Sequence, residues 1–141
     1  MRLVIGAIVV AVLAGCSTSP VTEQTAKSIP ADRVYQPAMV AAGDAESQAS
    51  ATVTFLRDSG YFGAGCSHDM FVNNVKVFAI RQGEFIRLAL PAGAYFFRLE
   101  TGGGLCPNIA TSQNSDLKPG ASESYRILLP SDGSLRLTRI K

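Results

Sequence analysis

Cys66-Ser67-His68-Asp69 places a thiol, the chain's one histidine and a carboxylate within four successive positions. Such a group can act as a nucleophile when a base takes the thiol proton and a third group orients the base. The pattern around it argues for a different use. His68 alternates with Met70 and Val72 and so projects with them toward a core, while Cys66 has a better use as a partner for Cys106. Zinc is disfavoured as well, because one histidine and two cysteines some 40 positions apart would need carboxylates that no spacing marks. No metal and no cofactor is expected. Gly102-Gly103-Gly104 lacks the following lysine and helix of a phosphate loop, and Asp58, Asp69, Asp116 and Asp132 all adjoin turn signals. Neither a Gly-x-Ser-x-Gly nor a His-Glu-x-x-His run occurs.

The third cysteine carries a different chemistry. Cys16 closes Leu13-Ala14-Gly15-Cys16, behind a basic Arg2 and an apolar run from Leu3 to Val12, which is the order of regions in an export signal. The run stops after about a dozen residues, short of the roughly 20 that span a bilayer. It resembles a bacterial lipoprotein signal. That resemblance implies cleavage before Cys16, then acylation of its thiol and of the new amino group. Ser17, where an Asp would signal retention, resembles the pattern of lipoproteins sent on to the outer membrane, facing the periplasm. With Cys16 taken by lipid, Cys66 and Cys106 remain as an even pair in an oxidising compartment, and a disulfide is expected. Closing that loop is worth roughly 4 kcal/mol in the chain-entropy model.

Three segments follow from composition. Residues 1–15 read as the signal peptide and residues 16–50 as the lipidated N-terminus and a flexible tether. Residues 51–141 read as one domain, which the length suits. The tether is rich in Ser, Thr, Ala, Gln and Pro, with isolated apolar residues such as Val21, Ile29, Val34, Tyr35 and Met39; a solvated linker is expected, and docking of Ile29 to Met39 on the domain or on a partner, which would use Tyr35 and Met39, is the alternative. A formal charge of +2 lacks the basic excess of a nucleic-acid binder.

From Ala51 onward, short apolar runs alternate with Gly, Pro, Asn and Asp, an all-β texture. Val53 and Phe55 alternate with Thr52 and Thr54. Asn73-Asn74 suits a type I′ hairpin, which pairs Val72 with Val75 and Met70 with Val77. A second hairpin through Pro91-Ala92-Gly93-Ala94 pairs Leu90 with Tyr95, Leu88 with Phe97 and Ile86 with Leu99. Tyr125, Ile127 and Leu129 alternate, then Leu135 and Leu137. About seven short strands predict a small β-sandwich or barrel.

Met70 to Val77, Arg81-Gln82-Gly83-Glu84-Phe85 and Leu90-Pro91-Ala92-Gly93-Ala94-Tyr95 together resemble the PEGA-like surface domains. More closely they resemble small uncharacterised bacterial lipoproteins of related fold. The resemblance covers about Thr52 to Tyr125 and implies a PEGA-like or transthyretin-like β-sandwich with no catalytic residues to carry over. Asn73-Asn74 departs from it, standing where Asp-Gly is more usual.

On the second hairpin, one face is left with Phe85, Arg87, Phe96 and Arg98, with Lys76 and Phe78 adjoining. Aromatic and arginine side chains of this kind are enriched at interaction sites. Arg87 opposite Arg98 needs a neutralising group, either Glu100 on the diagonal or a partner carboxylate or lipid phosphate. The leading expectation is a non-catalytic envelope lipoprotein, held to the membrane by lipid, that binds another envelope component. The alternatives are a periplasmic enzyme inhibitor and a thiol-dependent enzyme using Cys66 and His68.

Overall fold

Alternating strands with one apolar face must pair those faces, and the strands of the described residues, nine in number, are arranged in two sheets. The computed structural model describes residues 18–42, 49–102, 106–130 and 132–141. The signal segment, Cys16, residues 43–48 of the expected tether, and Gly103 and Gly104 lie outside the described residues. The strands are β1 (Lys27–Ser28), β2 (Ser50–Arg57), β3 (His68–Val72), β4 (Val75–Ile80), β5 (Glu84–Pro91), β6 (Gly93–Thr101), β7 (Ala110–Leu117), β8 (Ser122–Leu128) and β9 (Arg136–Arg139). One sheet has the order β1-β5-β2-β8-β9 and the other β4-β3-β6-β7. The fold is an all-β sandwich, as the alternation predicts.

Between the sheets lies an aromatic centre. Phe55 stacks on Tyr125 at 5.4 Å and meets Phe97 edge-on at 5.4 Å, with Phe78 5.5 Å away. Met70, Val72, Leu88, Leu90, Leu99, Leu117, Ile127 and Leu137 complete this core.

The β3–β4 turn forms as its residues require. Asn73 and Asn74 both take positive φ, 48° and 66°, which Asn tolerates better than other side chains. Val72 faces Val75, but Met70 faces Phe78 and not Val77, because the register shifts between Met70 and Phe71. The irregularity adds a residue to β4, so Val77 and Phe78 are both fully buried. A bulge of this kind turns a side chain to the other face, which removes Phe78 from the outer surface.

The second expected hairpin is not one. β5 pairs with β2, setting Leu88 opposite Val53 and Ile86 opposite Phe55, whereas β6 lies in the other sheet between β3 and β7. Pro91 lacks an N–H to extend a ladder, and Gly93 at φ 150° occupies a conformation that L side chains rarely adopt. The chain therefore turns a corner from one sheet to the other. Leu88, Leu90, Phe97 and Leu99 are inward as expected, but none of the expected pairs across the turn exists.

Residues 18–42 are not a free tether. Ser19 and Ser59 exchange both backbone hydrogen bonds, Ser19 N donating over 2.6 Å and Ser59 N over 3.0 Å. Lys27 N donates to Gly83 O (2.8 Å), Ile29 N to Phe85 O (3.2 Å), Tyr35 N to Val77 O (2.7 Å) and Ala41 N to Arg87 O (3.0 Å). The segment thus covers the open edges of β5 and β4, one in each sheet, and buries Val21 and Ile29. Exposed strand edges offer unpaired N–H and C=O groups, and a sparse polar segment can satisfy them without a core of its own.

Candidate functional site

The chemistry-bearing cluster lies at one end of the sandwich, where β2 leaves for β3. Cys66 and Cys106 are joined as a disulfide, with Cα atoms 5.8 Å apart, inside the ordinary range for the bond. The Cys66 sulfur is therefore engaged. His68 is completely buried at the start of β3, and neither ring nitrogen has a hydrogen-bond partner among the described residues. Asp69, the fourth member of the run, pairs with Lys76 at 2.9 Å on the outer face. Strand alternation sends His68 inward and Asp69 outward, so the run does not assemble a base with an orienter.

Arg57 was not singled out by composition, and it organises this end. It closes β2 on the same parity as Val53 and Phe55, so its guanidinium goes inside, where only 2 % of the residue is exposed. Nη1 donates to Cys66 O (2.5 Å) and Ile80 O (2.9 Å), and Nη2 to Gly63 O (3.0 Å). A planar fork with five N–H donors suits three separate carbonyls. Burial brings the Arg57 pKa down to about 10, with Glu84 opposing, so the group stays charged at neutral pH. Burial first, and the Arg57 charge second, hold His68 at about 4.

The same loop has further supports. Gln82 accepts from Gly60 N (3.2 Å) and donates to Gly60 O (2.6 Å) and Phe62 O (3.4 Å). Gly63 has φ +71°, and a Cβ there would meet Leu129 at 2.6 Å. Asp58 is buried in an ion pair with Arg126 and accepts from Val21 N over 3.1 Å. The loop is thereby fixed at Gly60, Phe62, Gly63 and Cys66, yet Tyr61 is 88 % and Phe62 43 % exposed.

The four residues expected to share a face do not. Phe85 and Arg87 lie on the outer side of the β2–β5 sheet, and Phe96 and Arg98 on the outer side of the β3–β6–β7 sheet. With the core between the sheets, these two surfaces point in opposite directions. Among the described residues no arginine is paired across a ladder with another. Arg87 pairs with Glu23, and Arg98 pairs with Glu100 and lies 4.3 Å over the Phe71 ring. Lys76 sits 4.7 Å over Tyr35.

Two concavities involve these surfaces. A cleft of about 270 Å³ runs between the docked segment and β5, lined by Ile29, Val34, Val40, Phe85 and Arg87. A more open recess of about 480 Å³ lies toward the opposite end from the disulfide, formed by Asn73, Tyr95, Phe96, Asn114 and Asp116. The hairpin turn builds one wall, since Asn73 Oδ1 accepts from Phe96 N over 2.9 Å. An aromatic floor with amide and carboxylate groups around it can hold a polar or aromatic side chain of another molecule. Among the described residues no three His, Cys, Asp or Glu side chains are grouped to hold a metal ion. The chain matches no protein-family model and no curated protein.

Proposed function

We propose that this protein is a non-catalytic lipoprotein of the bacterial cell envelope, anchored by acylated Cys16 to the outer membrane on its periplasmic side, which binds another envelope component. The observation that carries the reading is the Cys66–Cys106 disulfide. It supports an oxidising compartment and leaves Cys16 as the odd cysteine, in the Leu13-Ala14-Gly15-Cys16 setting that resembles a lipoprotein signal. A PEGA-like domain is part of this proposal, and the two-sheet fold supports it. With Cys66 bonded and His68 enclosed, binding is favoured over thiol chemistry.

The partner surface in this reading is the recess at Asn73, Phe96 and Asn114. A photo-crosslinking side chain at Asn114 in living cells is expected to give one discrete adduct. A probe at Thr138, on the other sheet, is expected to give none. The binding role is contradicted at this surface if the Asn114 probe yields no adduct or the same pattern as the Thr138 probe.

A further inference from the structure

If Cys16 carries the lipid, the domain cannot stand far from the bilayer. Thr18 already rests on Gly60, where a Cβ would lie 3.3 Å from the Thr18 Cα, and Ser19 is paired with Ser59. Two residues of fully extended chain reach at most about 7 Å. The polar layer of one leaflet is itself about 5–7 Å thick. The acylated residue would thus bring Gly60, and Tyr61 beside it, to the headgroup level.

The chemistry displayed there suits that position. Tyr61 is the most exposed large hydrophobic side chain among the described residues, and Phe62 stands beside it. An aromatic ring with a polar tip is at home at a membrane–water interface. Presenting both rings to water would leave apolar surface unused, and the supports from Arg57, Gln82 and the disulfide hold their loop in one shape. Around them the charge is positive. Arg81 precedes Gln82, which holds Gly60, and Lys27 N donates to Gly83 O, so these two exposed cations stand at the same end, while the carboxylates of Asp58, Glu84 and Asp132 are each paired with an arginine. Exposed cations beside an aromatic tip match lipid phosphates.

We infer that the Gly60–Gly65 loop is a membrane-seating surface, with Tyr61 and Phe62 inserted at the phospholipid interface and Arg81 and Lys27 facing headgroup phosphates. The inference rests on the lipid-anchor reading. It also fixes the orientation, turning the Asn73–Phe96–Asn114 recess away from the anchoring membrane.

The chain has no tryptophan, so a single introduced indole is a clean reporter. Tyr61→Trp, Phe62→Trp and, at the far hairpin, Val75→Trp would be made in the full acylated protein. Each would be placed in vesicles of phosphatidylethanolamine and phosphatidylglycerol with brominated acyl chains. Both loop variants are expected to show blue-shifted emission, quenched several-fold more strongly than that of Val75→Trp. Equal quenching at both ends overturns the seating. A blue shift without quenching also overturns it, since protein and not lipid would then cover the loop. Intact mass of the same samples separates the anchor from the seating: acylated protein without quenching sinks the seating alone, whereas protein without acyl chains sinks the anchor and the seating together.

Discussion

Arg57→Ala is expected to cost on the order of 4 kcal/mol in urea unfolding, an effect usually reserved for the centre of a core. Three backbone carbonyls, of Gly63, Cys66 and Ile80, lose the donors they have in the native protein. A buried polar group left without its partner costs about 1–3 kcal/mol, and the vacated side-chain volume adds a cavity term. Arg57→Lys should recover little, because a compact ammonium cannot fork across carbonyls on three different segments. Chymotrypsin adds a local readout, since Tyr61 and Phe62 are its kind of site and should be cleaved faster once the loop loses its clamp. A variant within about 0.5 kcal/mol of wild type would show that Gln82 and the disulfide hold the loop without the guanidinium.

The second large effect is acid sensitivity from His68. The unfolded imidazole takes its proton near pH 6.5, but the buried one does so only at about 4. Between those values the unfolded state binds more protons. Stability is therefore fully present above about pH 6.5 and is lost as the pH falls toward 4. The displacement corresponds to about 3 kcal/mol. As the chain has one histidine, the upper part of this window belongs to His68 with little contribution from carboxylates. His68→Leu should flatten the profile from pH 6.5 to 5 and be at least as stable as wild type at pH 7, because it removes two buried nitrogens that lack partners among the described residues. An unchanged pH profile in His68→Leu would place the acid sensitivity elsewhere.

Much of the inside was legible in the sequence. Alternation identified Leu88, Leu90, Phe97, Leu99, Tyr125, Ile127, Leu135 and Leu137 as inward, and cysteine parity identified Cys66 with Cys106. Alternation reports a face, however, and not a neighbour. Ile86 to Leu90 and Phe97 to Leu99 show the same pattern whether they pair in one sheet or face each other across the core. Pro91 and Gly93 serve a corner as readily as a hairpin. The displaced register at Met70 and Phe71 moved Phe78 inside through one extra residue, which the apolar run Val77-Phe78-Ala79-Ile80 does not reveal. The docking of residues 18–42 rests mainly on backbone hydrogen bonds to β4 and β5, and composition is silent about those. Arg57 did carry a signal, a charge on the inward parity of β2.

Lipid anchoring at Cys16 is decided by the intact mass of the protein extracted from bacterial membranes. The expected species is a chain beginning at Cys16, residues 1–15 removed, with a diacylglycerol on the thiol and a fatty acyl group on the amine, and a Cys16→Ser protein is expected to leave the membrane fraction. A chain with an unmodified Cys16 thiol, or a Cys16→Ser variant that remains membrane-bound at unchanged mass, would contradict it.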